Sequence, residues 1–280
     1  MKRGSEQIVV RSFRCLTLNL WGAEPPLQRR MELVAAALRE LAPDVVGLQE
    51  VREVPGELAN QAETLAAAAG FHHAFVPAMP FAGGHEGLAI LSREPILEHV
   101  AFGLPHAEPS ERRILLSVRV RFETLSVWVH TTHLNYRLAH GKQREDQVQA
   151  IDSIVAARAG DTPSVVMGDF NARPEADEIR WLRGLVSLCG RRTYYQDAWA
   201  RLHPDGHGWT WARCNPYTRP LAFLEPDRRI DYIFVTPMRR DGRATIQSCR
   251  IVLDQPAADG VYASDHFGLL AEIQMNGGAE

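Results

Sequence analysis

The chain has 280 residues, 45% of them hydrophobic and 23% charged, with four cysteines and a formal net charge of −3 at pH 7. This composition is ordinary for a soluble globular enzyme, and the charge argues against a protein held to nucleic acid mainly by bulk electrostatics. The chain contains no apolar stretch of membrane-span length, no export signal and no C-x-x-C spacing, so we expect a cytoplasmic protein without a zinc knot or a disulfide framework.

Alternating and continuous apolar runs predict strands along the whole chain. The predicted strands are 8–10, 16–19, 44–48, 87–91, 114–120, 125–133, 163–167, 230–235, 246–253 and 267–273. Apolar residues at helical spacing predict three helices. The first covers 27–41 after two prolines, the second covers 58–69 and stops at Gly70, and the third contains Val148, Ile151 and Val155 and ends near residue 160.

Strands outnumber helices, and several strands follow one another directly. This order favours a β-sandwich with helices packed outside it over a purely parallel doubly wound sheet. The chain contains no linker, repeat or low-complexity segment. We therefore expect a single domain over residues 1–280.

Polar residues concentrate where the predicted strands meet loops, which is where active sites are usually built. In the strand 125–133 the alternation places His133 on the aliphatic face at the strand's end, and His130 on the other face. The full set of strand-end residues is Asn19, Glu50, Glu86, His133, Asp169, Asn171, Asp231, Asp265 and His266.

These side chains are rich in hard oxygen ligands and poor in thiolates, which suits Mg²⁺ or Mn²⁺. Carboxylates that converge without a cation repel one another, and a bound dication relieves that repulsion. Taken singly, each residue also fits a turn, a cap or a surface ion pair. The argument for a shared site depends on the whole set.

Seven short stretches resemble motifs of one family, in the family's order. They are Thr17-Leu18-Asn19-Leu20-Trp21-Gly22, Leu48-Gln49-Glu50-Val51, Glu86-Gly87-Leu88-Ala89-Ile90-Leu91-Ser92, Thr132-His133-Leu134, Gly168-Asp169-Phe170-Asn171, Arg229-Ile230-Asp231-Tyr232-Ile233-Phe234 and Ser264-Asp265-His266. With these stretches the chain resembles the endonuclease/exonuclease/phosphatase (DNase I-like) superfamily. That superfamily includes pancreatic deoxyribonuclease, abasic-site endonucleases, sphingomyelinases and inositol polyphosphate phosphatases.

The resemblance implies a four-layer α/β sandwich, in which two packed mixed β-sheets are flanked by helices and the site lies at one edge of the sheets. It implies that Glu50 is the principal metal ligand, with Asn19 and Asp265 close to the ion. Asp169 would orient or deprotonate the attacking water, and Asn171 would hold a phosphate oxygen.

The resemblance also implies that His133 and His266 contact the scissile phosphate. Asp231 would orient His266, and Glu86 would orient His133. This chemistry suits phosphate esters, because their negative charge repels nucleophiles until a dication and cationic donors neutralise it. The expected activity is therefore Mg²⁺- or Mn²⁺-dependent hydrolysis of a phosphodiester or phosphomonoester by in-line attack of an activated water.

Some assignments remain open in the sequence. The family's arginine after the Glu-Gly-Leu motif is either Arg112 or Arg113, and we favour Arg113. Arg144 and Gln147 match an Arg and a Gln of similar proteins, but a surface helix would also place them one turn apart.

The substrate-framing loops are expected at 203–229, which is long and aromatic, and at 77–85, which is rich in small residues. The substrate is a phosphate ester of a small molecule, a phospholipid headgroup or a nucleic acid, with no obligatory protein partner and no transmembrane segment. Nuclease, sphingomyelinase-like phosphodiesterase and small-molecule phosphatase all fit the motifs. A non-catalytic scaffold that binds phosphorylated ligands is the alternative outside catalysis.

Overall fold

The structure, a computed structural model, describes residues 12–106, 108, 111–221 and 223–277. The strand expected at 8–10 lies outside the described residues. In chain order the strands are β1 (Ser12–Asn19), β2 (Val45–Glu53), β3 (His72–Phe81), β4 (Gly84–Ser92), β5 (Ile96–Gly103), β6 (Ile114–Phe122), β7 (Leu125–His133), β8 (Val165–Asp169), β9 (Gln196–Asp197), β10 (Asp231–Val235), β11 (Thr245–Val252) and β12 (Gly268–Gln274). The helices are α1 (Leu27–Leu41), α2 (Gln61–Ala69), α3 (Gly141–Ala156), α4 (Asp177–Leu182) and α5 (Ala198–Leu202), with a 3₁₀ turn at Pro216–Thr218.

The strands form two six-stranded mixed sheets. The first has the order β11-β12-β1-β2-β4-β3 and the second the order β5-β6-β7-β8-β10-β9. Each sheet contains one parallel pair, β1 with β2 and β7 with β8, and antiparallel pairs elsewhere. A helix connects the two strands of each parallel pair, as a parallel connection requires.

Apolar side chains fill three layers of core between and outside the sheets. The middle core joins the two sheets through residues such as Val45, Val129 and Met167. The outer face of the first sheet packs on α1 and α2, and the outer face of the second sheet packs on α3 and α4. The structure therefore confirms the four-layer α/β sandwich.

At two positions near the site only glycine fits between neighbouring strands or sheets. A Cβ atom at Gly47 would lie 2.9 Å from Thr131 Oγ1 of the other sheet. At Gly168, where φ is +142°, a Cβ atom would lie 2.0 Å from the backbone oxygen of Thr132. Because no larger residue fits there, Gly168 lets β8 lie against β7 directly before Asp169.

The predicted helix over 27–41 and the third predicted helix are confirmed. The second helix begins at Gln61 rather than at residue 58, because the Asn60 side chain accepts hydrogen bonds from the backbone N–H groups of Ala62 and Glu63 and so caps the helix. The prediction omitted β3, β5 and the short α4, β9 and α5. The loop expected at 77–85 is instead the tip of the hairpin formed by β3 and β4.

Across the described ranges, the helices are all too short or too polar to cross a lipid bilayer.

Candidate active site

The polar strand-end residues come together at one edge of the two sheets. Register explains part of this, since β8 pairs with both neighbours so that Asp169 lies opposite His133 on β7 and opposite Asp231 on β10. The three side chains are at least nine-tenths buried. The second sheet therefore supplies an imidazole and two carboxylates in one row.

Glu50 reaches the same edge from the first sheet through a β-bulge. The register of β2 on β4 shifts between Leu48 and Val51, and Glu50 itself has φ +53°. A bulge of this kind redirects a side chain that regular pleating would place elsewhere. Backbone strain at a non-glycine residue often marks a functional position.

Asn19 at the end of β1 connects the two sheets at the site. Its side-chain Nδ2 donates to Glu50 Oε1 at 3.0 Å and to Asp169 Oδ2 at 3.1 Å. Its Oδ1 accepts from the backbone N–H of Trp21 at 2.9 Å, and its backbone oxygen accepts from Ser264 Oγ at 2.6 Å. Asn19 thus brings the carboxylates of Glu50 and Asp169 within reach of the loop that carries Asp265.

The expected pair of Asp231 and His266 is present. His266 Nδ1 lies 2.8 Å from Asp231 Oδ2, and His266 Nε2 points towards Asp169 Oδ2 at 3.8 Å. Burial opposes the charge of the imidazole, but the carboxylates of Asp231, Asp265 and Asp169 raise the pKa of His266 well above its ordinary value. His266 is therefore a cation held in a fixed orientation.

His133 has the opposite protonation state. Burial lowers its pKa well below the ordinary value, and the charges of Arg113 and His266 lower it further. Its Nε2 lies 3.4 Å from Asp169 Oδ2. One neutral and one cationic imidazole therefore face the same carboxylate oxygen.

The pairing of Glu86 with His133 that the resemblance implied is not formed. The Glu86 carboxylate is instead bonded to Arg52, at 2.7 Å from Nη2 and 2.9 Å from Nε. Glu86, Arg113 and His133 line one small cavity of about 10 Å³. A guanidinium attracts a carboxylate more strongly than a neutral imidazole does, which explains the preference for Arg52.

Arg113, rather than Arg112, lies at this cavity. Arg113 is buried beside His133, whereas Arg112 is exposed. Asn171, with φ +50°, donates its backbone N–H to Asp169 Oδ1 at 2.8 Å. Its Nδ2 donates to the backbone oxygen of Leu134 at 3.2 Å.

Arg144 and Gln147 of α3 are buried and hold the loop that follows His133. Arg144 donates to Glu178 Oε1 at 2.6 Å and to the backbone oxygens of Asn135 and Arg137. Gln147 accepts from the backbone N–H of Asn135 at 3.2 Å. These contacts support the loop and do not reach the site.

Arg30 of α1 is a buried residue that the sequence analysis did not select. Its guanidinium donates to five backbone oxygens, which belong to Leu20, Trp21, Gly22, Glu24 and Ala263. It therefore joins the loop after Asn19 to the loop before Asp265. Its spacing from Val34 and Leu38 places it on the buried face of α1, and this spacing is the signal that could have identified it.

The residues that the sequence predicts as metal ligands lie at this edge: Asn19 Nδ2 donates to Glu50 Oε1 at 3.0 Å, and the charge of Asp265 acts on Glu50. Their oxygen atoms are of the type that a hard dication binds. Burial raises the pKa of Glu50 to about 7, and the nearby charges of Glu86 and Asp265 add to the effect. The pKa of Asp265 is also raised, first by burial and then by Asp231. Asp169, Asp231 and His266 have ligand atoms within 4.8 Å of one another. In this group the imidazole of His266 is already bonded to Asp231 through Nδ1.

The sequence matches the model of the Endonuclease/Exonuclease/phosphatase family over residues 16–266, which is most of the chain. The chain belongs to this family. The family's name covers nucleases and phosphatases, both of which cleave phosphate esters. Membership confirms the resemblance found in the sequence motifs.

Similar proteins include two curated relatives and a solved structure. The chain is 26% identical to nocturnin of Drosophila melanogaster, over 89% of this chain and 42% of that protein. It is 27% identical to tyrosyl-DNA phosphodiesterase 2 of Gallus gallus, over 94% of this chain and 67% of that protein. The crystal structure of an endonuclease/exonuclease/phosphatase from Beutenbergia cavernae DSM 12333 is 27% identical, with a TM-score of 0.72 over 95% of this chain and 72% of that one. The chain thus spans less than half of the nocturnin and about two thirds of the tyrosyl-DNA phosphodiesterase.

Proposed function

We propose that this protein is a divalent-metal-dependent hydrolase of phosphate esters. The observation that carries the proposal is the arrangement around Asp169, whose Oδ2 faces Asn19 Nδ2 and the Nε2 atoms of His133 and His266 at 3.1 to 3.8 Å. A carboxylate acceptor, a cationic donor and a nearby acidic donor set are the parts that hydrolysis of an anionic ester requires. The relatives' names, which include a phosphodiesterase, support the same class of reaction.

Asp169 would orient the attacking water and accept its proton. Burial raises the pKa of Asp169 to about 6, and the charge of Asp231 adds to this effect. The carboxyl group would therefore be ionised above that pH and still be a stronger base than a solvated aspartate. The backbone N–H of Asn171 and Nδ2 of Asn19 fix its orientation.

His266 would donate a hydrogen bond to a non-bridging oxygen of the phosphoryl group. Its positive charge would offset the negative charge that develops in the transition state, and Asp231 would keep the ring protonated and aligned. Neutral His133, the guanidinium of Arg113 and the amide of Asn171 would complete the contacts to the phosphate. Asp265, Glu50 and Asn19 would hold the dication, which supplies Lewis-acid stabilisation of the anionic ester when bound.

The test uses two chromogenic substrates, bis-p-nitrophenyl phosphate as a diester and p-nitrophenyl phosphate as a monoester. We expect turnover that is lost in EDTA and restored by Mg²⁺ or Mn²⁺, and comparison of the two ions identifies the better cofactor. Asp169→Asn should lower kcat by at least about a hundredfold. Asp161→Asn is the matched control, because Asp161 is exposed and lies just before the opposite end of the same strand.

Near-normal turnover by Asp169→Asn would contradict the role of Asp169. The complete absence of turnover by the native protein on both substrates, and on nucleotide and lipid esters, would favour the non-catalytic alternative. Circular dichroism of both variants confirms that the fold is retained.

A cytoplasmic location and a single domain over 1–280 remain predictions.

One observation favours a lipid phosphodiesterase as a second candidate. The tip of the loop expected to frame the substrate exposes three large apolar side chains, with Phe223 at 81% and Leu221 and Leu224 at 54% each. Exposed apolar tips of this kind insert into lipid surfaces. Activity on sphingomyelin vesicles that exceeds activity on the soluble diester, and that falls in Phe223→Ser, would support this candidate.

A further inference from the structure

A cleft leads away from the candidate active site along the loops that flank β8 and β10. Its inner part has a volume of about 390 Å³, and its lining includes Asn171, the cations Arg173 and Arg228, and the carboxylates Glu175 and Glu225. Its outer part has a volume of about 320 Å³ and is lined by the same two arginines together with His207 and Trp209. Because the two parts share Arg173 and Arg228, these arginines stand between the phosphate-binding position expected at Asn171 and the outer cleft.

The two arginines come from adjacent loops. Arg173 follows Asn171 by two residues after β8, and Arg228 precedes Asp231 by three residues before β10. Since Asp169 pairs with Asp231 in the antiparallel register of β8 and β10, these loops leave the sheet side by side. The backbone of Arg228 is also held, because it exchanges hydrogen bonds with the backbone of Trp211.

Arg228 is a half-buried cation that has carboxylates nearby but forms no direct ion pair with a described residue. In the part of the chain that the structure describes, its guanidinium makes no hydrogen bond and no ion pair, and its Nε is buried and unpartnered. Its contact is with the ring of Trp211, whose centroid lies 4.4 Å from Cζ. Burial lowers the pKa of Arg228, the carboxylates of Asp169, Glu225 and Asp231 oppose this, and the charge of Arg173 lowers it further.

The neighbouring Arg229 differs from Arg228 in having a carboxylate partner, although its Nε is likewise buried without a hydrogen bond. Arg229 is buried and donates to both carboxylate oxygens of Asp197, at 2.9 Å each. Arg173, in contrast, is exposed, and its ion pair among the described residues is with Glu175 at 3.5 Å, which contributes little at a solvated surface. Glu225 lines the same cleft without a direct ion pair to Arg228, so among the described residues the guanidinium of Arg228 stays free to pair with an anion, and Arg173 lies beside it.

We propose that Arg173 and Arg228 form a second phosphate subsite, which holds another phosphate group of a nucleotide substrate next to the one that is cleaved. The inference rests on the proposed function, because it takes Asn171 as a contact of the scissile phosphate. The outer cleft favours a nucleotide, since the rings of His207 and Trp209 stack at 4.7 Å between centroids and both side chains are exposed. Aromatic surfaces beside a phosphate-binding groove stack nucleobases.

The first test is direct binding, which needs no turnover. Isothermal titration with adenosine 3′,5′-bisphosphate and adenosine 5′-monophosphate measures the preference for a second phosphate in the native protein. We expect a preference of about tenfold or more, the scale of one charge-assisted contact. Arg228→Gln and Arg173→Gln should each reduce it to less than about threefold.

Arg121→Gln is the matched control, because Arg121 is exposed near the end of β6 that lies away from the site. Arg173 is exposed as well, so its variant keeps the test valid even if Arg228→Gln disturbs folding. Equal binding of the two nucleotides by the native protein would overturn the inference. So would an equal preference in the native protein and in both cleft variants.

The second test identifies the source of the second phosphate. The kcat/KM of a trinucleotide and of adenosine 3′,5′-bisphosphate are each divided by that of bis-p-nitrophenyl phosphate, which has a single phosphate. A fall of about tenfold in the trinucleotide ratio in Arg228→Gln assigns the subsite to a nucleic-acid chain, and a fall in the bisphosphate ratio assigns it to a small nucleotide. Unchanged ratios for both substrates would overturn the inference. Failure of the native protein to hydrolyse any ester would overturn the proposed function, while the titration would still decide whether the phosphate subsite exists.

Discussion

His130 provides a quantitative prediction of how stability depends on pH. It is fully buried on β7, and its Nδ1 lies 2.7 Å from the hydroxyl oxygen of Ser117 on β6. Burial lowers its pKa to about 3, and the charge of Arg158 adds to this effect. Trp128 stacks beside the ring, and Arg158 in turn lies over Trp128. His130 is therefore neutral in the folded protein at pH values well above 3.

The unfolded chain binds a proton at His130 below about pH 6.5, whereas the folded chain does not until about pH 3. Stability from this residue is therefore complete above pH 6.5 and falls as the pH decreases between these two values. At pH 5 the loss is 2.303RT multiplied by about 1.5 pH units, which is about 2 kcal/mol. Other groups also titrate in this range. The prediction therefore concerns the difference in the free energy of unfolding between the native protein and a variant that lacks His130.

The comparison uses the double variant Ser117→Ala/His130→Leu, which removes both partners of the buried hydrogen bond and leaves neither unsatisfied. Urea unfolding at pH 8 and pH 5 measures the free energy of unfolding of both proteins. On moving from pH 8 to pH 5, the variant should gain about 2 kcal/mol relative to the native protein. His99→Gln, on the exposed face of β5, should show no such change. If the free energies of unfolding of the variant and the native protein differ by the same amount at pH 8 and at pH 5, burial of neutral His130 does not make stability depend on pH.

Three further predictions concern the site. Glu50→Gln should raise the Mg²⁺ concentration for half-maximal activity by roughly tenfold or more, because a charged ligand is lost; an unchanged titration would remove Glu50 from the metal role. His266→Ala should lower kcat by about a hundredfold while circular dichroism shows a native fold, and a near-normal kcat would reject its contact with the phosphate. Arg30→Met should lower the free energy of unfolding by on the order of 3 kcal/mol, because buried carbonyl oxygens of two loops lose their donor. Arg29→Met, at a partly exposed position of the same helix, should change stability by less than about 1 kcal/mol.

Local sequence pattern was sufficient where the aliphatic residues of an element recur on one face. The helical spacing of Leu27, Met31 and Leu38 predicts α1 with its observed bounds, and the alternation over 125–133 predicts β7. In both elements the aliphatic residues recur on one face with the period of the element, so the sequence pattern predicts the structure directly. The strands β3 and β5 expose much of their surface and carry no such stripe, which explains why they were not predicted.

Site chemistry was visible in the sequence only as residue types at strand ends. The order of the motifs was enough to indicate the family, and the placement of Asp169, Asp231 and His266 in one cluster agrees with it. The partner of Glu86 was not visible, because Arg52 lies on the neighbouring strand β2 and reaches Glu86 through the register of β2 with β4. Arg30 likewise acquires its role only when two loops from distant parts of the chain meet its guanidinium.

The sequence by itself determined the family, the sandwich architecture and the set of ionisable side chains available at the strand ends. Tertiary structure alone decided the charge on each of these groups. His133 and His266 are the same residue type, yet one is neutral beside Arg113 and the other is cationic among three carboxylates. The physical reason is that a pKa depends on burial and on charges within a few ångströms, and those neighbours come from strands far apart in the sequence.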